Sequence, residues 1–115
     1  MADKQYNLDY LNSISGGDQD FIKDMLETFV TNVPLELNKI KELVASENWH
    51  KAGEDAHRFA SSLLYLGLDE LRTIATKIED FGIEKINIDQ IPGLLNQLEK
   101  GCSQLIIELK EDFNV

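Results

Sequence analysis

Apolar residues recur every three or four positions along almost the whole chain. The clearest run lies near its end, where Ile88, Ile91, Leu95, Leu98, Cys102, Leu105 and Leu109 alternate three- and four-residue steps. That spacing lines up one face of an α-helix, the seam of a helical bundle, whereas a half-buried strand needs a period of two. No segment shows sustained alternation of that second kind. An all-α chain is the expectation.

The punctuation divides it into segments. Tyr6 to Ile14 reads as a short lead-in helix carrying Leu8, Leu11 and Ile14 and stopped by Gly16-Gly17. Asp18 suits the N-cap of the next, whose Phe21, Ile22, Met25, Leu26, Phe29 and Val30 form one stripe. Pro34 marks a restart near the first turn of a third segment, which Leu37, Ile40 and Val44 carry to a turn at Ser46-Glu47-Asn48. A fourth runs from about Trp49 to Leu66 and ends at Gly67. A fifth opens with Asp69 and Glu70, which suit the helix dipole, buries Leu71, Ile74, Ile78 and Phe81, and ends at Gly82. The last spans about Asp89 to Phe113, with Gly93 and Gly101 inside it for no evident reason. Short connections favour antiparallel neighbours. The expected architecture is an antiparallel up-down four-helix bundle with a short additional N-terminal helix, one domain over residues 1–115.

Charge narrows the function classes. Twenty-one acidic against 11 basic residues give a formal charge of −10, which disfavours nucleic acid and anionic membranes, both bound through Lys and Arg. No apolar run is long enough to cross a bilayer, and the opening M-A-D-K-Q-Y lacks the regions of a signal peptide. A cytoplasmic monomer is expected. The lone Cys102 permits no internal disulfide and, placed in the seam, reads as a packed thiol.

The chemistry concentrates in A-H-R-F-A-S-S-L-L-Y-L-G, Ala56 to Gly67. At about 100° per residue, Ala52, Ala56, Phe59, Leu63 and Leu66 share one side of the helix and His57 falls on its flank. Gly53 and Ser61 lie one turn away in each direction, Ala60 beside it and Leu64 two turns on, so the imidazole is expected to be anchored yet open to approach. Lys51, Glu54, Asp55 and Arg58 read as a solvated face. In the antiparallel helix that follows, Thr76, Lys77 and Glu79 come level with His57. A carboxylate at Glu79 could accept from one ring nitrogen, fix the tautomer and leave the other nitrogen as nucleophile.

With L-D-E-L and K-I-E-D-F-G after it, this stretch resembles the histidine phosphotransfer (HPt) domains of two-component phosphorelays, whose usual pattern is A-H-x-L-K-G/S-S-x-x-x-x-G. The resemblance covers about residues 8 to 113. It implies that His57 is the phosphoacceptor, taking a phosphoryl group from a receiver-domain aspartate and passing it to another receiver, with Glu79 orienting the ring. It implies response-regulator receivers and a hybrid histidine kinase as partners, and no cofactor on this chain, since the magnesium belongs to the receiver. Docking contacts are expected from Leu64 and the exposed edges of Ile22 and Met25, with Gly53 and Ser61 providing clearance. One position departs: the lysine usual three residues after the histidine is Ala60 here, and Arg58 and Lys77 are the candidates to supply its charge.

Two other readings accommodate the pattern. A docking module would keep the bundle and leave His57 idle. A metal-binding bundle would use Glu47-x-x-His50 and Glu54-x-x-His57, a spacing known from di-iron bundles. Seven residues along one helix put the two histidines roughly 10 Å apart, too far for one ion.

Overall fold

The computed structural model describes residues 6–115, so the leading residues on which the signal-peptide reading partly rests lie outside the described part. Five α-helices follow one another: α1 Asp9–Ser15, α2 Gln19–Ala45, α3 Trp49–Leu64, α4 Asp69–Glu84 and, after a 3-10 turn at Ile88–Gln90, α5 Ile91–Phe113. Among the described residues there is no strand. The chain is all-α, with α1 laid on α2 and the four longer helices arranged in a ring in which α2 touches α3 and α5 and α4 fills the gap between them.

The local chemistry accounts for most of the boundaries. Asp18 caps α2: its Oδ1 accepts from the N–H groups of Asp20 at 3.0 Å and Phe21 at 3.2 Å. Gly16 closes α1 in the left-handed conformation at φ 66°. The seam of α5 is buried throughout, from Ile91 to Leu109, with Cys102 wholly enclosed and its thiol pushed up to about 12 by burial. Ile88, expected in that seam, is half-buried in the preceding turn.

Several expectations need correction. Pro34 does not restart a helix; α2 runs through it for 27 residues. Its absent N–H costs one intrahelical bond on an exposed face, and the apolar stripe Ile22, Leu26, Val33, Leu37, Ile40 and Val44 continues across it. Tyr6 to Leu8 are not helical. The Asn7 N–H donates to Leu66 O at 2.7 Å, the Tyr6 hydroxyl donates to Asp112, and the Tyr6 ring meets Phe113 edge-on at 5.8 Å. Ile14 and Phe21, assigned to buried stripes, are 49% and 39% exposed. α3 ends at Leu64 rather than Leu66, and α4 continues past Gly82 to Glu84, where Lys85 takes the left-handed cap at φ 57°.

Gly82 therefore has another purpose. A Cβ there would lie 2.5 Å from the Trp49 carbonyl oxygen and 3.1 Å from Gly53 N, and a Cβ on Gly53 would lie 2.8 Å from the Glu79 carbonyl oxygen. The two glycines let α3 and α4 approach backbone to backbone. Gly101 allows a similar approach between α5 and α4, since a Cβ there would lie 2.4 Å from Leu71 Cδ2; Gly93 has nothing within 4 Å. The buried face of α4 is accordingly Leu71, Ala75, Ile78 and Gly82, with Ile74 and Phe81 half-buried at its margin.

Candidate functional site

His57 projects from the middle of α3, where Ala52, Ala56, Phe59 and Leu63 bury the opposite side and hold the helix against the bundle. The helix geometry that buries those four leaves the histidine on the flank facing α4. Its Nδ1 lies 2.8 Å from Glu79 Oε2. The imidazole is 64% exposed and the carboxylate 21% exposed, so the pair sits at the rim of the groove between the helices. An ionised carboxylate can only accept, so Nδ1 carries the proton and, in the neutral ring, Nε2 keeps the lone pair.

The remaining sequence candidates divide. Ser61 is exposed one turn along, with its Oγ donating to the His57 carbonyl oxygen at 3.3 Å, and Leu64 is 46% exposed on the same stripe. Ala60 is turned inward and only 8% exposed. Gly53 does not face solvent: it is buried beneath α4, so its small size serves the helix crossing and not access to the imidazole. Ile22 is 3% exposed and is a core residue without an edge to offer. Met25 is half-buried and lines an apolar groove of about 160 Å³ together with Leu11, Phe29, Ser62 and Tyr65.

Neither candidate cation is brought to the ring. Arg58 forms an ion pair with Asp55 on the α2 side of α3, where Glu36 and Lys39 also line the gap. Lys77 is exposed on α4 two residues before Glu79, hence about 200° away around that helix. Asp55, read as a solvated residue, is 6% exposed, and its Oδ2 has no hydrogen-bond partner among the described residues. Burial in the same gap raises the Glu36 carboxyl above its ordinary value, with Lys39 and Arg58 pulling it down and Asp55 pushing it up.

Sequence reasoning missed an aromatic contribution. Tyr10 of α1 and Tyr65, just past the end of α3, are 42% and 40% exposed, and their rings pack with centroids 5.6 Å apart. Beside Leu64 they make an apolar patch at the end of α3 beyond His57. Only the tertiary fold joins Tyr10 to it; Tyr65 alone was visible, as a large residue following Leu64.

The paired Glu-x-x-His spacing does not make a centre. His50 Nε2 approaches Glu54 Oε2 at 3.8 Å while His57 takes Glu79. Among the described residues, no three of His, Cys, Asp or Glu gather in a metal-binding arrangement. Nor is any helix among them long and apolar enough to cross a membrane.

The sequence matches the family model of the Hpt domain over residues 24–108, from early in α2 to near the end of α5. No curated protein and no solved structure matches it. A match over most of the chain, on a helical bundle that carries an exposed histidine, shows that the chain belongs to the Hpt domain family, whose members are phosphocarrier modules of two-component phosphorelays and not stand-alone enzymes.

Proposed function

We propose that His57 is the phosphoryl carrier of this chain, loaded from the aspartyl phosphate of one receiver domain and unloaded onto the aspartate of another. The observation that carries the reading is the hydrogen bond of 2.8 Å between Nδ1 of a 64% exposed imidazole and Glu79. It leaves Nε2 as the nucleophile. In the loading step the Nε2 lone pair forms the N–P bond, the P–O bond to the receiver aspartate breaks, and that carboxylate leaves with the electron pair. The ring, still protonated at Nδ1, becomes a phosphoimidazolium whose positive charge Glu79 offsets. Unloading reverses these bonds on a second aspartate.

The chain supplies little else, and the magnesium that neutralises the moving phosphoryl oxygens is assigned to the receiver. Leu64, Tyr65 and Tyr10 form the proposed docking patch, with Ser61 leaving the approach to Nε2 uncrowded. This replaces Ile22 as a contact and keeps Met25 at the margin.

Incubation with receiver domains charged by radiolabelled acetyl phosphate tests the assignment. An acid-labile, base-stable label is expected on the chain and lost in His57→Gln, whose circular dichroism should match the parent. A label that persists in His57→Gln, or that maps to another residue, refutes it.

A further inference from the structure

Glycine inside a helix is destabilising relative to alanine, yet α3 and α4 each hold one where they cross. Helices packed through larger side chains run about 8–10 Å apart. Here the Trp49 carbonyl faces Gly82 and the Glu79 carbonyl faces Gly53, at separations that leave no room for a methyl group. The second of these contacts is made by the backbone of the residue that holds the imidazole. Its carboxylate and its carbonyl thus both look at α3, one at His57 and the other at Gly53, four residues earlier.

We propose that the contact between Gly53 and Gly82 is the positioning element of the His57 site: by setting the distance between α3 and α4 it keeps the Glu79 carboxylate within hydrogen-bond reach of Nδ1. The inference rests on the reading of His57 as the carrier, and extends it from the two side chains to the backbones beneath them. An ordinary contact to a Cβ is 3.4 Å or more, against 2.5 Å at Gly82 and 2.8 Å at Gly53. An alanine at either position thus forces the backbones apart by a large fraction of an ångström. Both obstructing groups at Gly82 and the nearest at Gly53 are main-chain atoms, which cannot swing aside as a side chain would. Stretched by that amount, the hydrogen bond of 2.8 Å is pushed beyond the normal range of about 2.7–3.2 Å, and the ring loses the firm partner that fixes its tautomer.

Gly101 supplies the internal control. Alanine there also crowds α4, but from α5 and against the Leu71 side chain, about 12 Å along the helix from Glu79 at 1.5 Å per residue. The experiment compares Gly53→Ala, Gly82→Ala and Gly101→Ala by two readouts: the imidazole tautomer from long-range proton–nitrogen NMR, and the rate of label transfer from a phosphorylated receiver. The parent should show the Nδ1–H form. Gly53→Ala and Gly82→Ala should lose it toward a tautomer mixture and transfer at least tenfold more slowly, and adding Glu79→Ala to Gly82→Ala should slow transfer less than twofold further. Gly101→Ala should keep the tautomer and a rate within twofold of the parent.

A folded Gly53→Ala or Gly82→Ala that retains tautomer and rate overturns the proposal. So does Gly101→Ala moving both as far as they do, since the glycines would then matter only to packing in general. Failure of both Gly53→Ala and Gly82→Ala to fold would make the contact a requirement of the bundle alone and would equally overturn it. If the parent takes no label on His57, the carrier reading fails by itself, and the tautomer readout still decides whether the glycines position the pair.

Discussion

At His57 a nitrogen on one helix meets an oxygen on the next, and the consequences can be argued atom by atom. Removing the acceptor with Glu79→Ala frees the ring to exchange tautomers and withdraws the charge that offsets the phosphoimidazolium. A hydrogen bond to a charged group contributes roughly 1.5–3 kcal/mol when sheltered and less at a rim, so transfer should slow by about tenfold, where 1.4 kcal/mol corresponds to a factor of ten. Glu79→Gln retains an acceptor and should lose less; stopped-flow or gel-based transfer assays distinguish them. The missing cation gives a second test. With Arg58 committed to Asp55 and Lys77 on the far flank of α4, Arg58→Ala and Lys77→Ala should leave the steady-state phosphorylated fraction unchanged. Ala60→Lys should raise that fraction, by a factor corresponding to at most about 1 kcal/mol for an exposed pair. The increase should shrink as salt is added. Because residue 60 is 8% exposed, the new ammonium has to snorkel outward along the helix to reach the phosphoryl oxygens. The histidine and its partner were legible in the sequence because a polar residue on the flank of an apolar stripe, and a carboxylate at matching distance from a turn, are both questions of counting. The commitment of Arg58 was not, since nothing in the spacing shows that Asp55 turns under α2.

Among the helices, periodicity assigned helix to each of the five but split α2 in two at Pro34 and misplaced several ends. Large residues announced the faces of α2, α3 and α5. α4 was harder, because half of its buried face is Ala75 and Gly82, and small residues carry little hydrophobic signal while permitting the closest approach. Gly82 was mistaken for a stop and Pro34 for a start for one reason: both residues usually end or begin helices, and tertiary packing overrode that preference. These positions give opposite predictions to the glycines of the crossing. Pro34→Ala restores an intrahelical N–H on an exposed face and should raise stability by about 1–3 kcal/mol. Gly93→Ala, with open space around its would-be Cβ, should raise it by about 0.5–1 kcal/mol. Urea denaturation with unchanged slope would measure both.

Over the whole molecule, the fold keeps one imidazole outside its core, and its stability responds to a group in the gap between α2 and α3. Glu36 has its proton affinity raised by burial between α2 and α3. A carboxyl with a raised folded-state pKa favours the folded state below its unfolded value of 4.5, and that contribution is lost as pH rises through the folded value. Glu36→Gln, which cannot ionise, should therefore melt higher than the parent at pH 7, with the difference shrinking toward pH 4; thermal melts across that range check the sign. The acidic composition, the bundle and the family were all legible from composition and motif, whereas the apolar patch of Leu64, Tyr65 and Tyr10 needed α1 to meet the end of α3. On the proposed reading, Nε2 of His57 holds the phosphoryl group in transit. Phosphorus and nitrogen NMR of the chain loaded by a phosphorylated receiver measures this directly. The expected result is phosphorus coupled to His57 Nε2, Nδ1 still protonated, and loss of the phosphorus signal when an unphosphorylated second receiver is added with magnesium. Phosphorus on Nδ1, on His50 or on no nitrogen, or a His57 adduct that no receiver can discharge, would contradict it.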